Sequence, residues 1–348
     1  MALYAIEALD DSFRATREFL TSPPSIKRWL VLAVVVFFMG GTSSGSGFGS
    51  GSFNAGSDVT TAPTTGPPIE EVFGELTDVI LANLGLIFLG LGILLVIGLT
   101  FSFVAAIMEF VFIQSLRTDE VRVFDYAGAH LRKAIGLFVF RLVLGLIGLV
   151  VFVGIAYMAY VSIVDAETIP LATISLLVFV GIVFGLTLSL IDGFTTSFVV
   201  PVMLVRDSGV IEGWRRFATP LVDSWVQYLA YLIAAFVLRL AIGIIVSIVM
   251  GFVAIVLLVP LAIVGISAFA ILGTEPAGIA ILILLVVVFI ALLLPIGAIL
   301  QVPVESYLRY YAMFVLGSTD PDVDPIVEMR ARVRREPDGA DEPTGASP

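Results

Sequence analysis

The sequence predicts an all-α, polytopic membrane protein: six transmembrane helices built as three parallel two-helix repeats, each unit led by an amphipathic cytoplasmic helix. Three observations carry this expectation. The 348-residue chain is 59% hydrophobic and only 14% charged, whereas a soluble domain is nearer a quarter charged. Its lysines and arginines alternate strictly between the apolar runs: successive intervening stretches hold 4, 0, 4, 0, 3, 0 and 5 basic residues, 16 of the 18. The two exceptions, Arg141 and Arg239, sit inside near-copies of one another, FVFRLVLGLIG and FVLRLAIGIIV.

From the N-terminus, residues 3–20 place Ile6, Leu9, Phe13 and Leu20 among acids and arginines. That spacing predicts an amphipathic helix lying on a membrane surface. Residues 1–28 are therefore expected to form a cytoplasmic amphipathic segment, ended by Pro23-Pro24. The first apolar run, Trp29–Met39, is short and follows Lys27-Arg28, so it could be a signal peptide. The long charged lead-in and the lack of an A-x-A site favour an uncleaved first span. Gly40–Pro68 is Gly/Ser/Thr/Pro-rich and predicts a flexible loop, with residues 40–78 extracellular. Further runs cover about Val79–Leu116, Ala134–Val164, Pro170–Val205, Trp225–Leu272 and Ala277–Leu316, completing a six-span domain over residues 29–316. Residues 317–348 hold 8 of the 29 acids and read as a disordered acidic tail.

Short loops rich in Lys and Arg stay cytoplasmic. Both termini and the loops Arg117–Lys133 and Arg206–Arg216 are therefore expected inside a cell membrane; Thr42–Asp78, Asp165–Ile169 and Gly273–Pro276 carry no basic residue and are expected outside. The later runs are much longer than the ~20 residues that cross a hydrocarbon core ~30 Å thick. Helices should therefore extend past one face as a packed bundle, with kinks expected at Pro260, Pro295 and Pro303.

The repeat aligns Ser102-Phe103-Val104 with Ser197-Phe198-Val199 and Arg141 with Arg239. A fainter third copy aligns Val302-Pro303-Val304 with Val200-Pro201-Val202. Two spans per unit return the chain to the same side, so the copies are parallel and imply a pseudo-threefold axis along the membrane normal. Small residues recur at every fourth position, as in Gly181, Gly185, Ser189, Gly193 and Ser197. Such ladders let helix backbones approach closely; the sharper reading is a glycine-lined pore.

Glu109, Arg141, Asp192, Arg239 and Glu305 are the ionisable residues inside the runs and the candidate polar site. A charge at the bilayer centre costs at least ~2.5–3.5 kcal/mol on insertion scales, so such residues are paired or near water. Depth counted from the cytoplasmic loops pairs Glu109 with Arg141 and Asp192 with Arg239. Glu305 and Arg309, one helical turn apart, are expected to interact near the interface. The alternatives are snorkelling or structural ion pairs on one side, and a polar pathway or substrate contact on the other.

Zero cysteines exclude disulfides and thiol chemistry, and His130 is the single histidine. No H-E-x-x-H, G-x-S-x-G or P-loop occurs, and Asp10-Asp11 lacks the third acid of a diphosphate-metal site. The chain is expected to be non-enzymatic, without cofactor or metal, with membrane lipids as partners and no nucleic acid. Its role would be organising the membrane or passing a small or lipidic solute. The other classes are a scaffold subunit of a membrane complex and a lipid-headgroup enzyme. The net charge of −11, with lysine only at Lys27 and Lys133, is what a salt-saturated cytoplasm favours, or simply reflects acidic tails.

The opening ALDDSFRATREFL…RWLVLAVVVFFMGG and the close VPVESYLRYYAMFVLGSTDPD resemble an uncharacterised haloarchaeal family of multi-pass membrane proteins over nearly the whole chain. More remotely, VPVMLVRDSGVIEGWRRF is similar to the membrane domain attached to some glycerophosphodiester phosphodiesterases. The resemblance implies a polytopic fold and assigns no site residue.

Overall fold

The computed structural model describes residues 4–21, 25–40, 83–164, 171–273 and 275–335, which are helical and contain no strand. The Gly-rich loop, the Asp165–Ile169 connection and the tail beyond residue 335 lie outside the described residues. Five helices are long and apolar enough to cross a membrane: Leu84–Thr118, Val123–Ser162, Ala172–Arg206, Trp225–Leu272 and Pro276–Thr319. We label the elements α1 (Tyr4–Thr21), α2 (Ile26–Gly40), α3 (Leu84–Thr118), α4 (Val123–Val164) and α5 (Leu171–Phe194). A π turn at Thr195–Val199 continues α5 into α6 (Val200–Arg206). Then come α7 (Val210–Asp223), α8 (Trp225–Leu272), α9 (Pro276–Thr319) and, after a 3-10 turn at Pro321–Val323, α10 (Val327–Arg335).

Burial divides each long helix in two. In α3 every residue from Leu84 to Val104 is exposed or half-buried, and burial begins at Ala105. The described part of α5 has no buried residue before the π turn, and in α9 only Gly278, at the turn from α8, is buried before Gly297. Each outer half is thus about 20–25 residues, at ~1.5 Å per residue the thickness of a hydrocarbon core. The inner halves hold the core. Val302–Leu316 of α9 is nearly all buried and packs on α1, α2, α3 and α8.

The core end is also the basic end. Lys133 of α4 pairs with Asp207 after α6 at 2.7 Å, Arg117 of α3 donates to the Pro325 carbonyl and Arg206 to the Asp322 carbonyl. Lys133 holds the exposed Asp207 carboxyl below its ordinary range, chiefly by hydrogen bonding. Arg332 bridges Asp119 and Glu18, and Arg334 reaches Asp11 at 3.1 Å. The four basic-bearing segments therefore gather at one end of the bundle. Asp119 and Asp207 end α3 and α6 in the left-handed region, at φ 55° and 52°, which Asp tolerates better than bulkier residues.

Two details differ from the sequence reading. α1 buries Ala8, Ser12, Ala15, Thr16, Phe19 and Leu20 against the bundle, while Ile6 and Phe13 face outward. Small residues let α1 dock tightly on α9, a contact that a count of large apolar residues overlooks. Residues 317–335 are not a disordered tail: Val323, Ile326, Met329 and Val333 are buried, and Asp324 pairs with Arg330 at 2.7 Å. Their acids are spent on turns, with Asp320 and Asp324 accepting from the Asp322 and Ile326 amides. Pro260, Pro295 and Pro303 lie inside continuous helices, and the hydrogen-bond register changes at the π turn.

A Cβ on Gly317 would fall onto the Arg330 guanidinium and the Asp324 carboxyl, whereas one on Gly185 meets nothing within 4 Å. Gly317→Ala should therefore loosen the C-terminal lock by about 1–3 kcal/mol. Trypsin should then cleave between Arg330 and Arg335 faster than in wild type, with Gly185→Ala as the unaffected control. Equal rates in all three would remove this role for Gly317.

Candidate polar site

The inner ends of α3, α4, α5 and α9 meet around one buried set of charges. Glu109 on α3 is 1% exposed, and the side chains of Arg141 on α4 and Arg309 on α9 are 8% and 6% exposed. Arg309 Nη2 lies 2.5 Å from Glu109 Oε1, as a close ion pair off the hydrogen-bonding direction. Arg141 Nε donates to Asp192 Oδ1 at 3.0 Å, and its Nη2 donates to Thr196 Oγ1 at 2.7 Å. Arg141 Nη2 is also 3.9 Å from Glu109 Oε2, at the outer limit of an ion pair. The link between the two arginines is Thr196: its hydroxyl serves Arg141 and its carbonyl accepts from Arg309 Nη1 at 2.7 Å.

The backbone explains why that carbonyl is available. In a regular α-helix the Val200 amide would bond the Thr196 carbonyl. Here it bonds Thr195, five residues back, the π pattern often found at functional sites. The next amide that a π turn would offer to Thr196 belongs to residue 201, a proline without N–H. A buried carbonyl left without a donor is costly, and the Arg309 guanidinium supplies one. α7 braces the turn. Trp214 Nε1 donates to Thr195 Oγ1 at 3.0 Å, and a Cβ on Gly213 would come within 2.8 Å of Val199 Cγ1. Only glycine permits that approach.

Of the sequence-predicted residues, Glu109, Arg141 and Asp192 come together; Glu305 lies beside them, 8% exposed and near enough to repel Glu109. Arg239 does not join. It is exposed on α8, and among the described residues no ion pair includes it. The guanidinium on Asp192 is that of Arg141, which corrects the expected Asp192–Arg239 pair. Arg309 reaches past Glu305 to Glu109, and among the described residues the expected one-turn Glu305–Arg309 ion pair is not made. Thr196 is the residue that sequence reasoning missed. Arg309 was expected to interact, but with Glu305 rather than with Glu109.

On the outer side of the Arg141–Asp192 pair, an open-sided groove of about 450 Å³ runs between α3, α4 and α5. It is lined by Ser102, Leu144, Gly145, Gly148, Gly185, Leu188 and Ser189, with Arg141 and Asp192 at its base. Leu188 Cδ1 touches the Cβ position of Gly148 at 3.2 Å, while those of Gly145 and Gly185 are open. The small residues thus do two things: some carry helix packing and others leave space. His130 stacks on Phe110 and bonds the Tyr126 carbonyl. Among the described residues no three His, Asp or Glu groups are grouped to hold a metal.

Helix length, apolar outer halves and a packed, charge-linked inner end define a polytopic α-helical protein of the kind that crosses membranes. The chain belongs to the Family of unknown function (DUF7544), whose model matches residues 3–326. No curated protein and no solved structure matches it.

The charges should act as a unit. Removing one partner of a buried pair costs about 3–5 kcal/mol, while replacing both by apolar groups is often near neutral. Glu109→Leu and Arg309→Met should each lower the melting temperature in detergent, and the double variant should recover most of the loss. Strictly additive losses would show that the two residues do not depend on each other.

Proposed function

We propose that the chain is a non-enzymatic integral membrane protein that holds or passes a lipidic solute from the side, through the groove between α3, α4 and α5. In this reading α2 is part of a sixth span, and both termini and all basic loops are cytoplasmic. The packed inner end then lies at and beyond the cytoplasmic face. In the outer halves α4 packs on α5, where Leu188 Cδ1 meets the Cβ position of Gly148, and α8 packs on α9 through Gly265, which is compatible with two-helix units; α2 packs on both α3 and α9. The acidic, lysine-poor composition supports a salt-rich cytoplasm.

One observation carries the solute reading: the groove opens sideways between apolar helix faces and ends on a charged base. A pore would need its polar groups along a central axis. Here the charges that could line one, Glu109 and Arg309, are packed against each other and shut in. The same engagement counts against a lipid-headgroup enzyme, since Glu109 has no freedom to move a proton on a substrate. The scaffold reading has one observation of its own. The outer face of α8, including Phe236, Ile248 and Phe252, is exposed over most of the helix, which a partner helix could cover.

The absence of cysteine gives a clean background. Cysteines replacing Ser102, Gly145 and Ser189 should react in proteoliposomes with a lipid-soluble maleimide and resist a charged, membrane-impermeant one from either side. Reaction with the impermeant reagent at all three positions would make the groove an aqueous path and end the lateral reading.

A further inference from the structure

We propose that the groove between α3, α4 and α5 selects lipids with an uncharged headgroup, one that presents a hydroxyl or carbonyl oxygen to Arg141. This deepens the reading above and rests on it.

The first ground is an unmet donor. Arg141 spends Nε on Asp192 and Nη2 on Thr196, but its buried Nη1 has no hydrogen-bond partner. Buried donors are nearly always paired. Nη1 is closed to solvent here, like nitrogens of Arg28, Arg309 and Arg330 that also lack a hydrogen-bond partner. Among these arginines, Arg141 is the one that lines the groove, so a headgroup oxygen would meet Nη1 through a small turn of the guanidinium. The second ground is a pair of hydroxyls. Elsewhere on the outer halves, serines and threonines bond back to their own helix, as Thr100 does to Val96, Ser162 to Met158 and Thr187 to Val183. Ser102 and Ser189 line the groove, and among the described residues their hydroxyls make no such bond. Unlike Arg141, each can both accept and donate.

Charge decides the class of headgroup. Around the base stand three carboxylates, Glu109, Asp192 and Glu305, against two guanidinium groups, Arg141 and Arg309. Arg141 already faces Asp192 and Glu109, and the cluster counts one more carboxyl group than guanidinium groups. A phosphate entering from the membrane would meet that surplus in a low dielectric, where like charges repel strongly. A neutral oxygen takes the Nη1 hydrogen bond without that repulsion. The acyl chains would lie along the outer part of the groove, against Leu144 and Leu188, and continue over the exposed Leu186 and Leu190. Gly145 and Gly185 keep this space open, since a Cβ at either meets nothing within 4 Å.

The test uses the full chain in phosphatidylcholine vesicles. Trace diacylglycerol or trace phosphatidic acid is added, each with the same diazirine-bearing acyl chain, so that the probes differ only by the phosphate. After irradiation, labelled peptides are mapped by mass spectrometry. Diacylglycerol should label the α4 and α5 groove peptides about fivefold more than phosphatidic acid does, a modest difference of affinities. Gly185→Leu, which fills open space rather than packed structure, should abolish that preference while leaving the melting temperature unchanged. Arg141→Gln should lower diacylglycerol labelling too, if it folds. Equal or stronger groove labelling by phosphatidic acid overturns the headgroup class and leaves the lipid groove standing. Labelling spread evenly over all helices, or unchanged by Gly185→Leu, overturns both.

Discussion

A guanidinium taken out of water has to find carboxylates or carbonyls, and α3, α4, α5 and α9 meet where Arg141 and Arg309 find theirs. Van der Waals contact between apolar helices distinguishes poorly between one rotation and another, because lipid offers similar contacts. Charge pairing distinguishes sharply. Arg309 has to face Glu109, Arg141 has to face Asp192, and Thr196 has to stand between them. Those demands fix four helix rotations at once. The π turn is the concession by which α5 meets them, because it frees one carbonyl at the place where Pro201 removes the competing amide.

Depth gives the network its second role. Outward from it the helices expose about one bilayer thickness of apolar surface; inward they pack as in a soluble protein. Placing the charges at that boundary keeps them within reach of the interface while still binding the helices together. The outer halves are then held chiefly from one end. Their contacts are sparse, such as Gly148 with Leu188 and Gly265 with Leu282 and Leu285. An architecture fastened at one end leaves room between helix pairs at the other, and the groove beside Arg141 lies where that room begins.

The sequence made much of this legible, for identifiable reasons. Long apolar runs and basic loops report on transfer to the membrane, which acts on each segment independently, so the five long helices and the clustering of basic segments at one end are readable without any partner. Partner choice is a relation between segments. Depth along the helix placed Glu109 and Arg141 near each other, at 3.9 Å in the structure, but joined Asp192 to Arg239 rather than to Arg141, because depth says nothing about rotation. The folded part of the C-terminus was hidden for another reason. Its acids looked like a solvated tail, whereas Asp320 and Asp324 cap turns that let Val323, Ile326, Met329 and Val333 reach the core.

The contrast between Arg141 and Arg239 matches a difference in the sequence around them. In the alignment that matches Ser102 with Ser197 and Val200 with Val302, Asp192 corresponds to Ile97 in the first copy and Leu294 in the third. Glu109 corresponds to Leu204 in the second copy. The arginine is duplicated, but its carboxylates are not. Arg239, with no such carboxylate in ion-pair reach among the described residues, is exposed on α8, whereas Arg141 is drawn in against Asp192. With Asp192 facing it, Arg141 lies beside the small residues of α4 and α5. The two arginines therefore differ in the carboxylates that face them, and Arg141 is the one that stands at the base of a groove.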